Sequence, residues 1–302
     1  MRLAVLEHEG AALAAVELAD GSFTTIADRE GRPIRDVAEL LKQQDWPALA
    51  REAMKTGQRL PAGTALLAPL RAPESVICVG VNYRAHIAEM GDTVPLWPTL
   101  FSKLPRALTG PGAVVELPAA APDNVDYEGE LAIVIGTGGR DLEGQEAWDA
   151  IAGFTLANDV SVRDVQFRTG QWFAGKTWEA MTPIGPVIVT PDELPDLDSR
   201  ELSVHVNGQA RQLATIGDQV FTVTTLVSYI SSIVSLRPGD LILTGTPGGV
   251  GVAMDPQKFL RDGDEVKVAM DGIGVLRNTF HTSGRPVELE DDRQTTVVAG
   301  VR

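Results

Sequence analysis

Apolar residues in this chain come in short bursts rather than long stripes. From residue 73 onward, SVICVGV, TLFSK, ELAIVIG, GFTLAND, GPVIVT, LSVHVNG, DLILTG and DEVKVAM are short segments rich in Val, Ile, Leu and Thr, many closed by Gly or Pro. Bursts of that length and composition predict β-strands. The Asn207-Gly208 pair after LSVHV predicts a two-residue hairpin. Helical periodicity is rarer. EAWDAIA fits one short helix and SVRDVQF another, with Ser161 as its N-cap. TTLVSYISSIVSL places Leu226, Ile230, Ile233 and Val234 on one helical face.

Residues 1–70 read as a small unit. RLAVLE, AALAAVEL and GSFTTIA are strand-like with a turn at Asp20-Gly21, while DVAELLKQQ and DWPALAREAMKTG are helical, the second closed by Gly57. LRAPESV marks a boundary. The pattern therefore predicts a small N-terminal α/β domain over 1–70, a larger unit over 73–283, and a polar tail over 284–302 carrying the acidic cluster Glu288 to Asp292. Strands alternating irregularly with short helices predict an α+β fold, mainly β, and not a doubly wound parallel sheet.

Charge changes the picture by exclusion. Against 26 Lys and Arg stand 41 Asp and Glu, a net charge of −15. Nucleic acid and anionic membrane are disfavoured as partners, whereas a small anionic substrate is not, because a divalent cation and a few local bases reverse the field inside a pocket. The one cysteine, Cys78, cannot form an internal disulfide and sits in a strand-like run, the place of a small core residue. The opening MRLAVLEHEG meets Glu7 and Glu9 too early for a signal peptide, and no apolar stretch is long enough to span a bilayer. The expected location is the cytoplasm.

Candidate chemistry gathers in five places. In DYEGEL, Asp126, Glu128 and Glu130 are spaced by two, which on a strand aims all three at one face. In apolar surroundings such carboxylates repel unless a hard cation lies between them, and Asp159 at the end of TLAND offers one more oxygen ligand. An all-oxygen set points to Mg²⁺, Mn²⁺ or Ca²⁺; a solvated acidic strand face is the competing explanation. In HIAEM, His86 and Glu89 stand at i and i+3, the arrangement of a base oriented by a carboxylate, or of two polar residues on a surface turn. Lys176, Arg163 and Gln166 either face the same pocket or are exposed. LTGTPGGVG lacks the signature of a nucleotide loop and suits a backbone nest for a carboxylate, assisted by Thr246, or a tight structural turn. His8, His86, His205 and His281 show no metal-ligand spacing among themselves, and His205 alternates with Val204 and Val206 as an outward-facing residue.

The order of these motifs is more specific than any one of them. NYRAHIAEMG, DYEGELAIVIG, ANDVSVRDVQ, GKTWEAMTPIGP, LTGTPGGVG and GDEVKVAMDGIGVLRN, in that order over residues 73–280, resemble the fumarylacetoacetate hydrolase family. The resemblance implies a mixed β-sandwich roll with short helices, a homodimer, and a Mg²⁺ or Mn²⁺ site. Residues 1–70 resemble the extension found in many bacterial members. It implies Glu128, Glu130 and Asp159 as metal ligands, His86 and Glu89 as a water-activating dyad, Lys176 as the pocket lysine, and Arg163, Gln166 and Thr246 as substrate-side groups. Asp126 is left without a ligand role. The implied activity is metal-dependent hydrolysis of a C–C bond in a 2,4-dioxo acid through an enolate. Its alternatives are an oxaloacetate decarboxylase, a tautomerase or hydroxymuconate-type isomerase on the same site, or a catalytically silent binding protein. Residues 83–97 have little core of their own and are expected to form a lid.

Overall fold

The computed structural model describes residues 1–61, 63–121 and 123–282. The tail expected over 284–302 lies outside them. Among the described residues, an eleven-stranded sheet packs against a five-stranded one. At the centre of the larger sheet, Gly129–Ile135 pairs antiparallel with Ile151–Asn158 on one side and Leu241–Leu243 on the other. Leu241–Leu243 continues in parallel to Val76–Gly80, which pairs with Thr99–Lys103. On the opposite flank, Thr182–Val189 joins Ile151–Asn158 to Arg2–His8, so the first strand of the chain extends the same sheet.

Every residue of Gly129–Ile135 is buried, and the reason is that the strand separates two cores. Leu131, Ile133 and Ile135 enter a core shared with Leu202, Val204, Val266, Val268 and Phe280 of the five-stranded sheet. Ala132 and Val134 enter the other core, with Leu3, Val5, Cys78, Leu241 and Leu243, under a short helix, Val37–Leu41. A strand buried on both faces reads as a continuous apolar run, and ELAIVIG does. Cys78 is fully buried, as a small core residue. None of the described helices is long and apolar enough to cross a membrane.

Local expectations met the structure unevenly. Asn207 and Gly208, both at positive φ, turn Glu201–Val206 into Gln209–Thr215. Ser161 does not cap a helix. It pairs with Asp126 in a short bridge of two strands, its hydroxyl donates to Asp159 O, and the helix Arg163–Gln166 begins after Val162. The long helix runs Val223–Ile233 and buries Leu226 and Ile230 together with Val223 and Val227. Ile233 and Val234 are exposed instead, because the backbone is already extended at Val234. Gln209–Thr215 is the partner that the Asn207-Gly208 hairpin requires, whereas Val114–Leu117 and Gly274–Thr282 of the smaller sheet went unnoticed, because one face there meets solvent and polar residues interrupt the apolar signal.

Candidate active site

The site is built where the central strand begins. Glu128 and Glu130 flank Gly129, whose register partner is Asn158, so Asp159 arrives beside them from the neighbouring strand. Two bonds fix the junction: Asp159 N–H to Glu128 O at 2.7 Å, and Glu128 N–H to Asn158 Oδ1 at 2.9 Å. Glu128, Glu130 and Asp159 are 5%, 2% and 0% exposed. Each offers a carboxylate oxygen, and these oxygens lie within 4.8 Å of one another. Three buried oxygens converging at that spacing, with no nitrogen or sulfur donor among them, fit a hard divalent cation.

Three cations surround the cluster. Lys176, on the short helix Phe173–Lys176, places Nζ 2.5 Å from Glu128 Oε2 and 2.9 Å from Asp159 Oδ2. Arg163 bridges Asp126 at 2.8 Å and Glu128 at 2.6 Å, and donates to Gln166 Oε1 at 2.9 Å. The third is Lys103, which sequence reasoning passed over as the end of an ordinary strand. Its Nζ lies 2.5 Å from Asp159 Oδ1 and 2.8 Å from Thr182 Oγ1.

Protonation follows from this arrangement. Burial pushes Glu128 up, but the Lys176 and Arg163 charges outweigh it and hold it down at about 2. Burial, with Asp159 and Glu128 as like-charged neighbours, drives Glu130 well above the ordinary carboxylate range. For Lys176, burial alone would lower the ammonium pKa; Asp159 and Glu128 reverse this and raise it. The cluster thus holds one carboxyl that gives up its proton reluctantly, which a divalent cation would relieve.

The glycine-rich loop is a nest for carboxylates, as expected, and the carboxylates it holds belong to the chain. Gly245 N–H donates to Glu130 Oε2 at 2.8 Å, Gly249 N–H to Glu89 Oε2 at 2.7 Å, and Gly251 and Val252 N–H to the two oxygens of Asp126 at 2.8 and 3.0 Å. Both Asp126 oxygens are thereby taken up, and Arg163 links Asp126 to Glu128. Thr246 lines the cavity, but its hydroxyl donates to Gly129 O at 3.0 Å and accepts Gln212 Nε2 at 2.8 Å.

His86 and Glu89 share the helix Arg84–Met90, which ends at Gly91 in the left-handed region. Glu89 Oε1 and His86 Nδ1 are 2.7 Å apart. His86, Glu128, Glu130, Arg163, Gln166, Lys176 and Thr246 line one cavity of about 90 Å³. The structure therefore brings these sequence-chosen residues to one place; Glu89 stands behind His86, and Asp159 lies beneath, fully buried. Arg163, Gln166 and Lys176 are buried pocket residues, not exposed helix positions.

Residues 75–281 match the family described as fumarylacetoacetate (FAA) hydrolase C-terminal. The chain belongs to the fumarylacetoacetate hydrolase family. Among members of that family, it is 42% identical over 213 residues to the mitochondrial oxaloacetate tautomerase Fahd2a of Rattus norvegicus, covering 70% of this chain and 68% of the relative. It is 36% identical over 245 residues to the oxaloacetate tautomerase YisK of Bacillus subtilis, covering 80% and 81%. The crystal structure of 5-carboxymethyl-2-hydroxymuconate delta-isomerase from Mycobacterium smegmatis superimposes with a TM-score of 0.75 at 36% identity, over 94% of this chain and 100% of that one. The mainly β architecture with short helices is the fold of the family.

Proposed function

We propose that this protein is an oxaloacetate tautomerase, moving a proton between the keto and enol forms of a small 2-oxo acid. The observation that carries this reading is the preformed His86–Glu89 pair on a cavity that also presents Glu128, Glu130 and Lys176. The naming of two relatives as oxaloacetate tautomerases supports the choice of reaction. Proton transfer needs one base beside the carbon that flanks the 2-oxo group, and little else that moves.

Glu128, Glu130 and Asp159 would hold Mg²⁺ or Mn²⁺, which when bound supplies the positive field that acidifies that carbon and favours negative charge on the substrate oxygens. His86 takes the proton. Glu89 accepts from Nδ1, fixes the ring and its tautomer, and stabilises the imidazolium that forms. Lys176 gives the pocket a positive charge for a substrate carboxylate, and Gln166, whose Oε1 is held by Arg163, keeps its amide N–H groups for donation. Reprotonation at the enol oxygen or the carbon completes the exchange with no bond between heavy atoms broken.

Hydrolysis of a 2,4-dioxo acid, the activity expected first from the sequence, asks more of the site. It must also admit a water and an acyl arm, which a cavity of about 90 Å³ does not favour. The isomerase title of the superimposed structure supports proton transfer on a related skeleton as the second reading. The test is a panel with Mn²⁺. Enol and keto oxaloacetate are followed by ultraviolet absorbance, pyruvate release marks decarboxylation, and acylpyruvate cleavage marks hydrolysis. Acceleration of enol–keto exchange without pyruvate is the expected result; cleavage of acylpyruvates with no effect on the exchange overturns it. The homodimer implied by the resemblance belongs to the same reading and is measured by sedimentation of the intact chain.

A further inference from the structure

The geometry points to Trp172 as the residue that sets the length of substrate the site accepts, restricting it to short 2-oxo acids of about four carbons. This rests on the 2-oxo acid reading above and adds what it leaves open.

Trp172 immediately precedes the helix that carries Lys176. Its indole lies against the end of the Val76–Gly80 strand: a Cβ built at Gly80 would stand 2.3 Å from Cζ3 and 2.9 Å from Cη2 of the ring. Only glycine lets the ring come that close, so the missing side chain at residue 80 makes the seat of the wall. Phe101 holds the ring from a second side, edge to face, with centroids 5.5 Å apart at 73°. The same Phe101 ring carries Lys176 Nζ 5.3 Å from its centroid. Phe101 therefore contacts both the wall and the ammonium.

Trp172 lines the same small cavity as Glu128, Glu130 and Lys176. About 90 Å³ stands well below the 300–1,000 Å³ of pockets that take large ligands. With the 2-oxo acid end at the carboxylates and Lys176, few further carbons fit, and Trp172 is one of the walls they meet. Added methylenes ordinarily raise affinity for a pocket with apolar walls. A cavity already filled by the short acid reverses that sign.

The test is a ladder of unbranched 2-oxo acids of four, six and eight carbons, with their binding measured by calorimetry in the presence of Mn²⁺. For the parent protein, affinity should fall about tenfold or more from the shortest to the longest. Trp172→Ala should flatten the ladder or invert it. Gly80→Ala, whose methyl displaces the ring from its seat, should change the ladder as well, and it tests the wall independently if Trp172→Ala does not fold. Circular dichroism establishes folding for each variant. Affinity that rises with length in the parent, or the same ladder in parent and folded variants, overturns the assignment. Because binding is read and not turnover, a protein that failed to tautomerise oxaloacetate would sink the proposed reaction and leave the ladder to be judged separately.

Discussion

Glu89 reaches across 160 residues to Gly249: its Oε2 accepts the Gly249 amide at 2.7 Å while its Oε1 holds His86 Nδ1 at the same distance. The dyad is thus tied to the glycine-rich loop, and that loop also holds Glu130 through Gly245. Base and triad share one backbone support. Gly249 cannot be replaced cheaply, since its φ is +103° and a Cβ there would lie 2.0 Å from Arg211 O.

Glu89→Gln should lower kcat about 10- to 100-fold with KM and Mn²⁺ affinity little changed, because the amide keeps the shape but not the charge that steadies the imidazolium. His86→Ala should cost about 10²- to 10⁴-fold and leave Mn²⁺ binding intact. Steady-state kinetics paired with calorimetry separates the two effects. Mn²⁺ affinity lost in step with turnover in either variant would remove the dyad from the proton transfer and make it part of the ion site.

Glu130 predicts a pH signature. Its pKa is raised in the folded chain, so the fold binds a proton that the unfolded chain has released. A raised carboxyl favours folding at acid pH, and that contribution is lost as pH rises above the ordinary value of 4.5. Glu128, held at about 2, has the opposite sign, but its window lies below 4.5. In EDTA the melting temperature of the parent should therefore fall, relative to Glu130→Gln, as pH rises above 4.5. Mn²⁺ should reverse the trend in the parent alone. Parallel curves for the two proteins would mean that Glu130 does not carry the proton.

Lys103 and Asp159 form a fully buried pair at 2.5 Å. Lys103→Met removes one of the two lysines on Asp159 and leaves Lys176 on Oδ2, so the cost should reach at most about 3–5 kcal/mol, that of a buried charge stripped of its partner. Urea denaturation in EDTA measures it. A loss within about 1 kcal/mol, the range of exposed ion pairs, would show that water or rearrangement replaces the lysine.

The sequence made the carboxylates and the dyad legible because each is a local motif: alternation on a strand, or i and i+3 on a helix. Lys103 was not legible, since its meaning comes from Asp159 and Thr182, far away in the chain. The glycine-rich loop was half legible for a related reason. LTGTPGGVG announces amides pointing inward, but only the fold shows that Glu89, Asp126 and Glu130 already fill them. The smaller sheet was half seen because its outer face is polar, whereas ELAIVIG, buried on both faces, was unmistakable.

The expected lid over residues 83–97 narrows to its second half. The root of the segment is anchored: Tyr83 is fully buried, Asn82 Nδ2 donates to Thr244 O at 2.7 Å, and Val220 N–H donates to Asn82 O at 2.7 Å. Ile87 is buried beneath the helix, and Glu89 pins its far end to Gly249. Beyond Gly91 the character changes. Val94, Leu96 and Trp97 are 50%, 87% and 69% exposed, and Trp97 only stacks on Tyr229 at 6.1 Å between centroids. Few buried contacts mean a low local opening free energy, so amides 93–97 should exchange with solvent rapidly while Ile87 and Gly249 exchange slowly. Asp92 and Met90 border the cavity, so a ligand reaches the mobile half through them. Oxalate with Mg²⁺ should slow exchange at 93–97 and change Ile87 little, because the dyad is already in place before the ligand arrives. Exchange at Ile87 as fast as at 93–97, suppressed by oxalate with Mg²⁺, would instead restore the whole segment as the lid and make dyad assembly part of each turnover.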